Sequence, residues 1–275
     1  MKSLAVFCVN YNSYKELYDY VRSVDVAAGE CSDIRVDVYV IDNTDKNYQP
    51  INISASHVNI KLFDHHMNYG YFGAVCHAIK EVNLDDYDYY VISNVDVLVD
   101  KDIFQKLVAQ KYPENTGIIA PRIFSKHLLK NLNPVRLERY SYNRLKMLLF
   151  LNDHSVLNTF LLWLRKRIYR LRKSSNAAVE AEQMSKLYLA HGSFILLTKE
   201  FYKRCGLIDY PIFLYCEEIY LAELCRKHDL LTVYDGTLKL TDIGMVSTGH
   251  LKKKQFCKYN HDAITYIINT FYKNK

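Results

Sequence analysis

Short apolar runs alternate with amphipathic stretches along most of the chain. The first run, Leu4–Val9, is continuous and ends at Asn10, which is typical of a strand buried on both faces. Further strands are predicted at Arg35–Asp42, Val58–Phe63, Tyr87–Ser93, Gly117–Pro121, Gly192–Thr198, Leu230–Asp235 and Thr237–Asp242. Helices are predicted from Ser13 onward and at Gly70–Val82, Lys101–Gln110, Lys199–Gly206, Cys216–Asp229 and 252–275. The alternation predicts one α/β domain over 1–275, with a mostly parallel sheet and helices on both faces.

Asn or Asp follows the end of several predicted strands. These residues are Asn10, Asn12, Asp42, Asn43, Asn68, Asn94 and Asp96. Turn chemistry alone explains many such residues. The carboxyl ends of parallel strands share one edge of a sheet, however, so these side chains would also line a single crevice. Asp96 stands between Val95 and Val97, where a carboxylate is costly unless its charge is used, so it is either a turn residue at the surface or a metal-binding carboxylate at the edge of the sheet.

Several common functions lack their motifs in this sequence. Gly70 and Gly73 form only GxxG, whereas a dinucleotide site needs GxGxxG, and there is no P-loop, GxSxG or HExxH. The seven cysteines include no CxxC pair, and the N-terminal apolar run is too short for a signal peptide. We therefore expect reduced thiols, no structural zinc and a cytoplasmic location.

Six segments occur in a fixed order along the chain: VFCVNYNSYKEL, VYVIDNTD, NYGYFGAVCHAIK, VISNVDVLV, HGSFILLTKEFYKRCGLID and FLYCEEIYLAELCRKH. In that order they resemble the motifs of family-2 glycosyltransferases with the GT-A fold, and the bacterial rhamnosyltransferase type is the most similar. The resemblance covers most of the chain outside Arg122–Lys186. It implies a Rossmann-like sheet interrupted by a basic helical insertion at 122–186 and completed by a C-terminal helix at 252–275.

The resemblance also implies a role for each motif residue. The nucleotide-sugar donor would contact Asn10, Asn12, Asp42, Asn43, Asn68, Gly70, Gly73, Asn94 and Gly192, with Asp42 at the base-recognising position. Mg²⁺ or Mn²⁺ would be held by Asp96, with His250 as a further candidate ligand. Glu218 would be the catalytic base, with Glu217 as the alternative, although acidic residues are also common at helix starts.

The sequence departs from the family pattern at three places. Asn94 replaces the first Asp of the DxD metal motif, and Glu217-Glu218 replaces the usual Glu-Asp pair. Cys76 and Ala78 stand where relatives often carry Asn and Gly. The chemistry still fits, because sugar transfer needs a divalent ion to neutralise the leaving diphosphate and a base to deprotonate the acceptor hydroxyl.

Positive charge is concentrated in one part of the chain. Residues 122–173 carry thirteen Lys or Arg against Glu138 and Asp153, a local charge of +11, so the remainder carries −5 of the total +6. Ser155–Lys173 predicts a basic amphipathic helix, and 144–173 would contact an anionic membrane surface. Packing of this helix against the domain is the alternative. No nucleic-acid recognition motif accompanies the charge, so no nucleic-acid partner is expected.

The resemblance implies an inverting glycosyltransferase, which would act on a lipid-linked oligosaccharide acceptor in surface or capsular polysaccharide synthesis. It would be peripheral at the inner face of the plasma membrane. The expected donor is dTDP-L-rhamnose, and a UDP-hexose is the alternative. A non-catalytic protein of the same fold, which binds nucleotide sugars or acts as a membrane scaffold, also remains open.

Overall fold

Ten strands form one sheet in the residues that the computed structural model describes, which are 1–64, 66–154, 184–244 and 253–273. The strands are β1 (Lys2–Asn10), β2 (Ile34–Asp42), β3 (Asn59–Asp64), β4 (Tyr89–Asn94), β5 (Val97–Val99), β6 (Thr116–Ser125), β7 (Lys130–Asn131), β8 (Ser185–Leu187), β9 (Phe194–Thr198) and β10 (Leu231–Asp242). Their order is β3-β2-β1-β4-β9-β6-β10-β5, with β7 paired to β6 and β8 paired to β10.

The strand directions confirm the predicted mostly parallel sheet. β3, β2, β1 and β4 are parallel neighbours, and β6 and β10 form a second parallel pair. β9 lies between β4 and β6 and is antiparallel to both, so β6 and β10 point the same way as the first four strands. Six of the ten strands in the described ranges therefore share one direction.

The predicted strands at Leu230–Asp235 and Thr237–Asp242 are one continuous strand, β10. Its pairing with β6 is irregular between Asp235 and Lys239. There the Asp235 carboxylate accepts hydrogen bonds from the backbone N–H and the hydroxyl of Thr237, at 2.9 and 2.6 Å. These turn-forming residues led to the prediction of two separate strands. In the structure the strand continues through them as a bulge.

Helices cover both faces of the sheet, as predicted. They are α1 (Tyr14–Gly29), α2 (Tyr71–Ile79), α3 (Ile103–Ala109), α4 (Tyr142–Asp153), α5 (Lys199–Cys205), α6 (Glu217–Lys227) and α7 (Lys253–Phe271), with a short 3₁₀ turn at Leu84–Asp86. α1 and α3 enclose one apolar core against the sheet. α2, α5, α6 and α7 enclose a second core on the opposite face.

The range predicted as a basic insertion, 122–186, contains sheet as well as helix. Its first residues complete β6, it includes β7 and α4, and its last residues begin β8. The predicted amphipathic helix Ser155–Lys173 lies outside the described residues. Among the helices that are described, none combines the length and apolarity needed to cross a membrane.

Glu223 anchors α6 to the rest of the domain. Its carboxylate is fully buried and accepts two hydrogen bonds from the Arg139 guanidinium, at 2.7 and 2.8 Å. Tyr188 and Tyr272 donate their hydroxyl protons to the same carboxylate, and Arg226 completes the set. Burial would raise the pKa of Glu223, but these hydrogen bonds outweigh it and hold the pKa below its ordinary value. The helix that carries Glu217 and Glu218 is therefore fixed in direction.

Candidate active site

A cleft of ≈ 350 Å³ opens at the carboxyl edge of the parallel strands. β1 has β2 on one side and β4 on the other, so the strand order reverses at β1, where open α/β sheets bind ligands. The register sets Asn10 beside Asp42 and Val9 beside Asn94. The cleft is lined by the predicted residues Asn43, Asn68, Gly70, Asn94 and Glu217. Aromatic walls are supplied by Tyr11, Tyr71, Phe213, Tyr215 and Tyr259.

Asn10 and Asp42 lie behind this lining in a buried network. Asn10 donates to one oxygen of Asp42 at 3.0 Å, and the Tyr14 hydroxyl donates to the other at 3.0 Å. The backbone N–H of Thr44 adds a bond to Asp42, and that of Ser13 bonds Asn10. These side chains fix the loops that leave β1 and β2. Contact of Asp42 with a nucleobase stays a prediction.

Asn43 and Asn68 shape the turn that carries Gly70. The Asn43 amide donates to the Asn68 side-chain oxygen at 3.1 Å and to the Gly70 carbonyl at 2.9 Å. The Asn68 oxygen in turn accepts the Gly70 N–H at 3.0 Å. Gly70 has φ +76° and ψ −176°, a backbone region that only glycine adopts readily. A Cβ at this position would also overlap the Phe213 carbonyl in the cleft wall.

Gly70→Ala should therefore damage both stability and the cleft, and Gly206→Ala is its matched control. Gly206 has the same backbone type, φ +74° and ψ −162°, but a Cβ there would meet nothing within 4 Å. Gly206→Ala should lose only the cost of strain, roughly 1–3 kcal/mol of unfolding free energy. Gly70→Ala should lose more, because the loop around Phe213 must also shift. Urea unfolding of both variants measures the difference, and equal losses would show that the Phe213 contact has no energetic weight.

Three other residues that were predicted to contact the nucleotide-sugar donor lie around the cleft but do not line it. Asn12 is exposed at a left-handed backbone position and its N–H bonds the Thr44 hydroxyl at 3.0 Å. Gly73 lines a neighbouring pocket on the flank of α2. The Gly192 carbonyl accepts the Tyr71 hydroxyl proton at 2.9 Å. Their contact with a donor stays a prediction.

The start of α6 is strained. Tyr215 and Cys216 both have positive φ, +76° and +62°, which is uncommon for residues with a side chain. Such strain is found most often at functional sites, where the surrounding structure holds it in place. It lets the Tyr215 N–H bond the Glu217 carboxylate at 2.9 Å and turns that carboxylate toward the cleft. Glu218 packs against Gly192, where a Cβ would overlap its carboxylate.

The burial of Glu217 should make the free energy of unfolding depend on pH. Burial raises its pKa from 4.5 to about 8, and the negative charge of Glu218 adds to the effect. Because the folded protein holds this proton more tightly than the unfolded chain, its stabilisation is complete below pH 4.5 and is lost as the pH rises toward about 8. In Glu217→Gln this loss disappears, so the variant should gain stability relative to wild type across that window.

Urea unfolding of wild type and Glu217→Gln at several pH values measures this relative gain. The exposed Glu114→Gln is the control, and parallel wild-type and Glu217→Gln curves would contradict the assignment.

The charges of three carboxylates act on Tyr71, whose hydroxyl donates to the Gly192 carbonyl. Burial raises the pKa of Tyr71 strongly, and the negative charges of Glu217, Glu218 and Asp96 raise it further. Asp96 is 7% exposed between β4 and β5, and its carbonyl accepts the Ile243 N–H at 3.0 Å. The two predicted catalytic residues and the predicted metal ligand therefore all lie within electrostatic range of Tyr71, which lines the cleft.

The oxygen ligands in the site suit a metal ion that is bound jointly by the protein and by the phosphates of the substrate. Within the part of the chain that the structure describes, no three His, Cys, Asp or Glu side chains gather as a metal site. Mg²⁺ typically takes only one or two carboxylates and completes its shell with water and substrate phosphates, and Mn²⁺ accepts the same oxygen ligands. Asp96 and the amide oxygen of Asn94, which lines the cleft, fit that partial set. His250 lies outside the described residues.

His191 lies next to Gly192, against which Glu218 packs, and was not among the residues predicted from the sequence. Its Nδ1 atom lies 2.9 Å from the Ser193 hydroxyl and accepts the Ser193 N–H at 3.3 Å. Burial lowers its pKa, while the charge of Glu218 acts in the opposite direction. The ring is therefore neutral near pH 7. Its position directly before Gly192 in the HGSF segment was the available signal.

Solved structures similar to this chain include three glycosyltransferases. A structure of GalNAc-T7 with UDP, GalNAc and Mn²⁺ matches with a TM-score of 0.56 at 11% identity, covering 100% of this chain and 49% of that one. A mannosyltransferase from Pyrobaculum calidifontis with GDP-Man and Mn²⁺ has a TM-score of 0.49 at 9% identity, with 90% and 58% of the two chains covered. The catalytic domain of Drosophila β1,4-galactosyltransferase 7 with xylobiose has a TM-score of 0.48 at 11% identity, with 94% and 80% covered.

The similarity to GalNAc-T7 shows the fold alone, and the two lower TM-scores are too low to support an argument. No family model matches the sequence, and no curated protein matches it. The chain spans about half the length of the GalNAc-T7 structure. It has the GT-A fold of glycosyltransferases, with its cleft at the carboxyl edge of the sheet.

Proposed function

We propose that this chain is a metal-dependent, inverting glycosyltransferase of the family-2 type. The observation that carries the proposal is a cleft at the switch point of a GT-A sheet, lined by Asn94 and Glu217, with Glu218 packed against Gly192 beside it. Acidic residues are common at helix starts, but Glu217 is also buried and lines the cleft, and desolvation of a carboxylate opposes that placement unless the site uses the group.

In the proposed reaction, the acceptor hydroxyl oxygen attacks the anomeric carbon of the donor sugar while Glu218 takes the hydroxyl proton. The bond between that carbon and the diphosphate breaks, and the nucleoside diphosphate leaves. Attack from the side opposite the leaving group inverts the anomeric configuration. Asp96 and Asn94 would hold Mg²⁺ or Mn²⁺, which neutralises charge on the leaving diphosphate. Asn43, Asn68 and the Gly70 turn supply amide and backbone groups that can orient the donor.

The proposed donor is dTDP-L-rhamnose, on the basis of the motif resemblance to bacterial rhamnosyltransferases. A UDP-hexose is the second candidate, which the UDP in the GalNAc-T7 structure favours. The proposed acceptor is a lipid-linked oligosaccharide of surface or capsular polysaccharide synthesis. The enzyme would then work at the cytoplasmic face of the plasma membrane, with 144–173 facing an anionic surface.

A thermal-shift panel tests this function directly. The full chain is titrated with dTDP-L-rhamnose, UDP-glucose, UDP-galactose and GDP-mannose, each with and without Mn²⁺. A ligand that binds only the folded state raises the melting temperature, and the shift grows with the logarithm of the ligand concentration above its Kd. We expect one donor to stabilise the protein, and to do so more strongly with Mn²⁺. Slow hydrolysis of that donor separates an enzyme from a non-catalytic binder, and no shift with any donor would contradict the proposal.

A further inference from the structure

A second, basic cleft lies outside the candidate active site, where the end of α4 meets the start of α7. The two helices are antiparallel: Arg139 and Tyr140, just before α4, bond Phe271 and Tyr272 at the end of α7. Their other ends form a cleft of ≈ 490 Å³. We call this the basic cleft, and its charged lining consists of Asp153, Lys253, Lys254, Lys258 and His261.

The lysines of the basic cleft have no carboxylate partner within the described ranges. All three are exposed, while the two nearby carboxylates, Asp153 and Asp262, both lie against His261 at 3.3 and 3.5 Å. The first turn of α7 contains no acidic residue. Cations at a helix start are disfavoured by the helix dipole. An anion bound in the basic cleft would relieve both the mutual repulsion of the lysines and this unfavourable position.

Exposed apolar side chains lie on the same two helices. Met147 and Phe150 on α4 are 40% and 52% exposed, whereas Phe256 on α7 is 39% exposed but packs on Tyr215 of the active-site cleft. A free phosphate would gain nothing from Met147 and Phe150, and a nucleic acid could stack a base on Phe150 but would gain little from Met147. A lipid surface uses both features, because phosphate groups pair with the lysines while apolar side chains enter the acyl boundary.

α7 connects the basic cleft with the active-site cleft. Lys254, Lys258 and His261 lie on one side of the helix, and Tyr259 on another side lines the active-site cleft and packs on Phe213, with ring centroids 5.2 Å apart. Only the width of one helix therefore separates the two clefts. A phosphate held in the basic cleft would bring the attached molecule close to the aromatic wall of the active site.

We propose that the basic cleft and the apolar side chains beside it form a docking surface for the phosphate groups of an anionic lipid bilayer. The purpose of this surface rests on the proposed function, because a lipid-linked acceptor requires an active site next to the membrane. The binding itself does not depend on catalysis, so the two proposals fail separately.

Vesicle co-sedimentation of the full chain tests the docking surface. The probe is vesicles of equal parts phosphatidylglycerol and phosphatidylcholine, with pure phosphatidylcholine as the neutral comparison. Replacing Lys253, Lys254 and Lys258 with Gln should weaken binding about fivefold for each charge, and roughly a hundredfold together. The matched control replaces Lys111, Lys203 and Lys227, exposed lysines on other elements, and should bind as wild type does. Met147→Gln with Phe150→Gln should also weaken binding while the charge is unchanged.

Equal binding by the wild type and the triple Lys→Gln variant would overturn the proposal, as would no preference for anionic over neutral vesicles. Tighter binding to a single-stranded oligonucleotide than to anionic vesicles at the same salt would assign the surface to nucleic acid instead. The thermal shift with donor and Mn²⁺ is measured on every variant. If it persists while vesicle binding is lost, the docking surface and the active site are separate, as proposed.

Discussion

Glu218→Gln should lower turnover by about 10²–10⁴-fold while donor affinity stays nearly unchanged, because base catalysis typically contributes that much. An acceptor alcohol is too weak an acid to ionise near neutral pH, so a positioned carboxylate must take its proton as the new bond forms. Gln keeps the size and hydrogen bonding of Glu but removes the basic oxygen. A loss in kcat without a loss in donor binding indicates an interaction made in the transition state.

Glu217→Gln is the matched comparison for this experiment. The two carboxylates are adjacent in sequence but differ in surroundings: Glu217 is 6% exposed and bonded to the Tyr215 N–H, whereas Glu218 packs against Gly192. Burial and the charge of Glu218 raise the pKa of Glu217 toward the neutral range, where a carboxylate can also act as a general base, so both variants have to be compared. If Glu217→Gln is inactive and Glu218→Gln is active, the base is Glu217 instead. If both variants turn over normally, α6 does not carry the base.

Gly192→Ala gives an independent check on the position of Glu218. A Cβ at this site would overlap the end of the Glu218 side chain, which can move aside at little energetic cost. Stability should therefore stay close to wild type while turnover falls, because the carboxylate is displaced. A large loss of stability with normal specific activity would contradict the proposed role of this contact.

The parallel half of the fold could be predicted because its strands are short, largely apolar segments with a polar residue at the end. β1 is a continuous buried run that ends at Asn10, and β2 alternates polar and apolar residues before a buried end at Asp42. The direction of β9 could not be predicted, because an apolar run has the same appearance whether it is parallel or antiparallel to its neighbours. β10 was wrongly predicted as two strands because the sequence Asp235-Gly236-Thr237, which lies inside the strand, favours a turn.

Part of the candidate site could also be predicted, since the register of parallel strands brings their ends together without further information. Asn10 beside Asp42 and Val9 beside Asn94 are consequences of that register. The aromatic wall could not be predicted. Phe213, Tyr215 and Tyr259 come from a loop and a helix far along the chain, and only tertiary packing brings them to the cleft. A single Tyr in an amphipathic helix carries no sign of such a role.

Asp96→Asn should abolish the enhancement of donor binding by Mn²⁺ while the fold remains intact. The change keeps the shape of a buried side chain, and the bond from the Ile243 N–H to the residue 96 carbonyl does not involve the side chain. It removes the negative charge that makes a carboxylate a strong ligand for a hard cation. The loss in metal-dependent affinity should be at least the roughly 10–100-fold that follows loss of an outer-shell partner of a metal ligand.

The same site offers a variant with the opposite expected effect. Asn94→Asp adds a second carboxylate beside Asp96, on a residue that already lines the cleft, and should tighten Mn²⁺ binding in the presence of donor. Isothermal titration of Mn²⁺ into the protein with saturating donor measures both variants against wild type. Weaker binding in Asp96→Asn and tighter binding in Asn94→Asp would indicate a metal between these two side chains and the donor diphosphate. Unchanged Mn²⁺ dependence in a folded Asp96→Asn protein would remove Asp96 from the metal site, and its burial between two valines would then need a structural explanation.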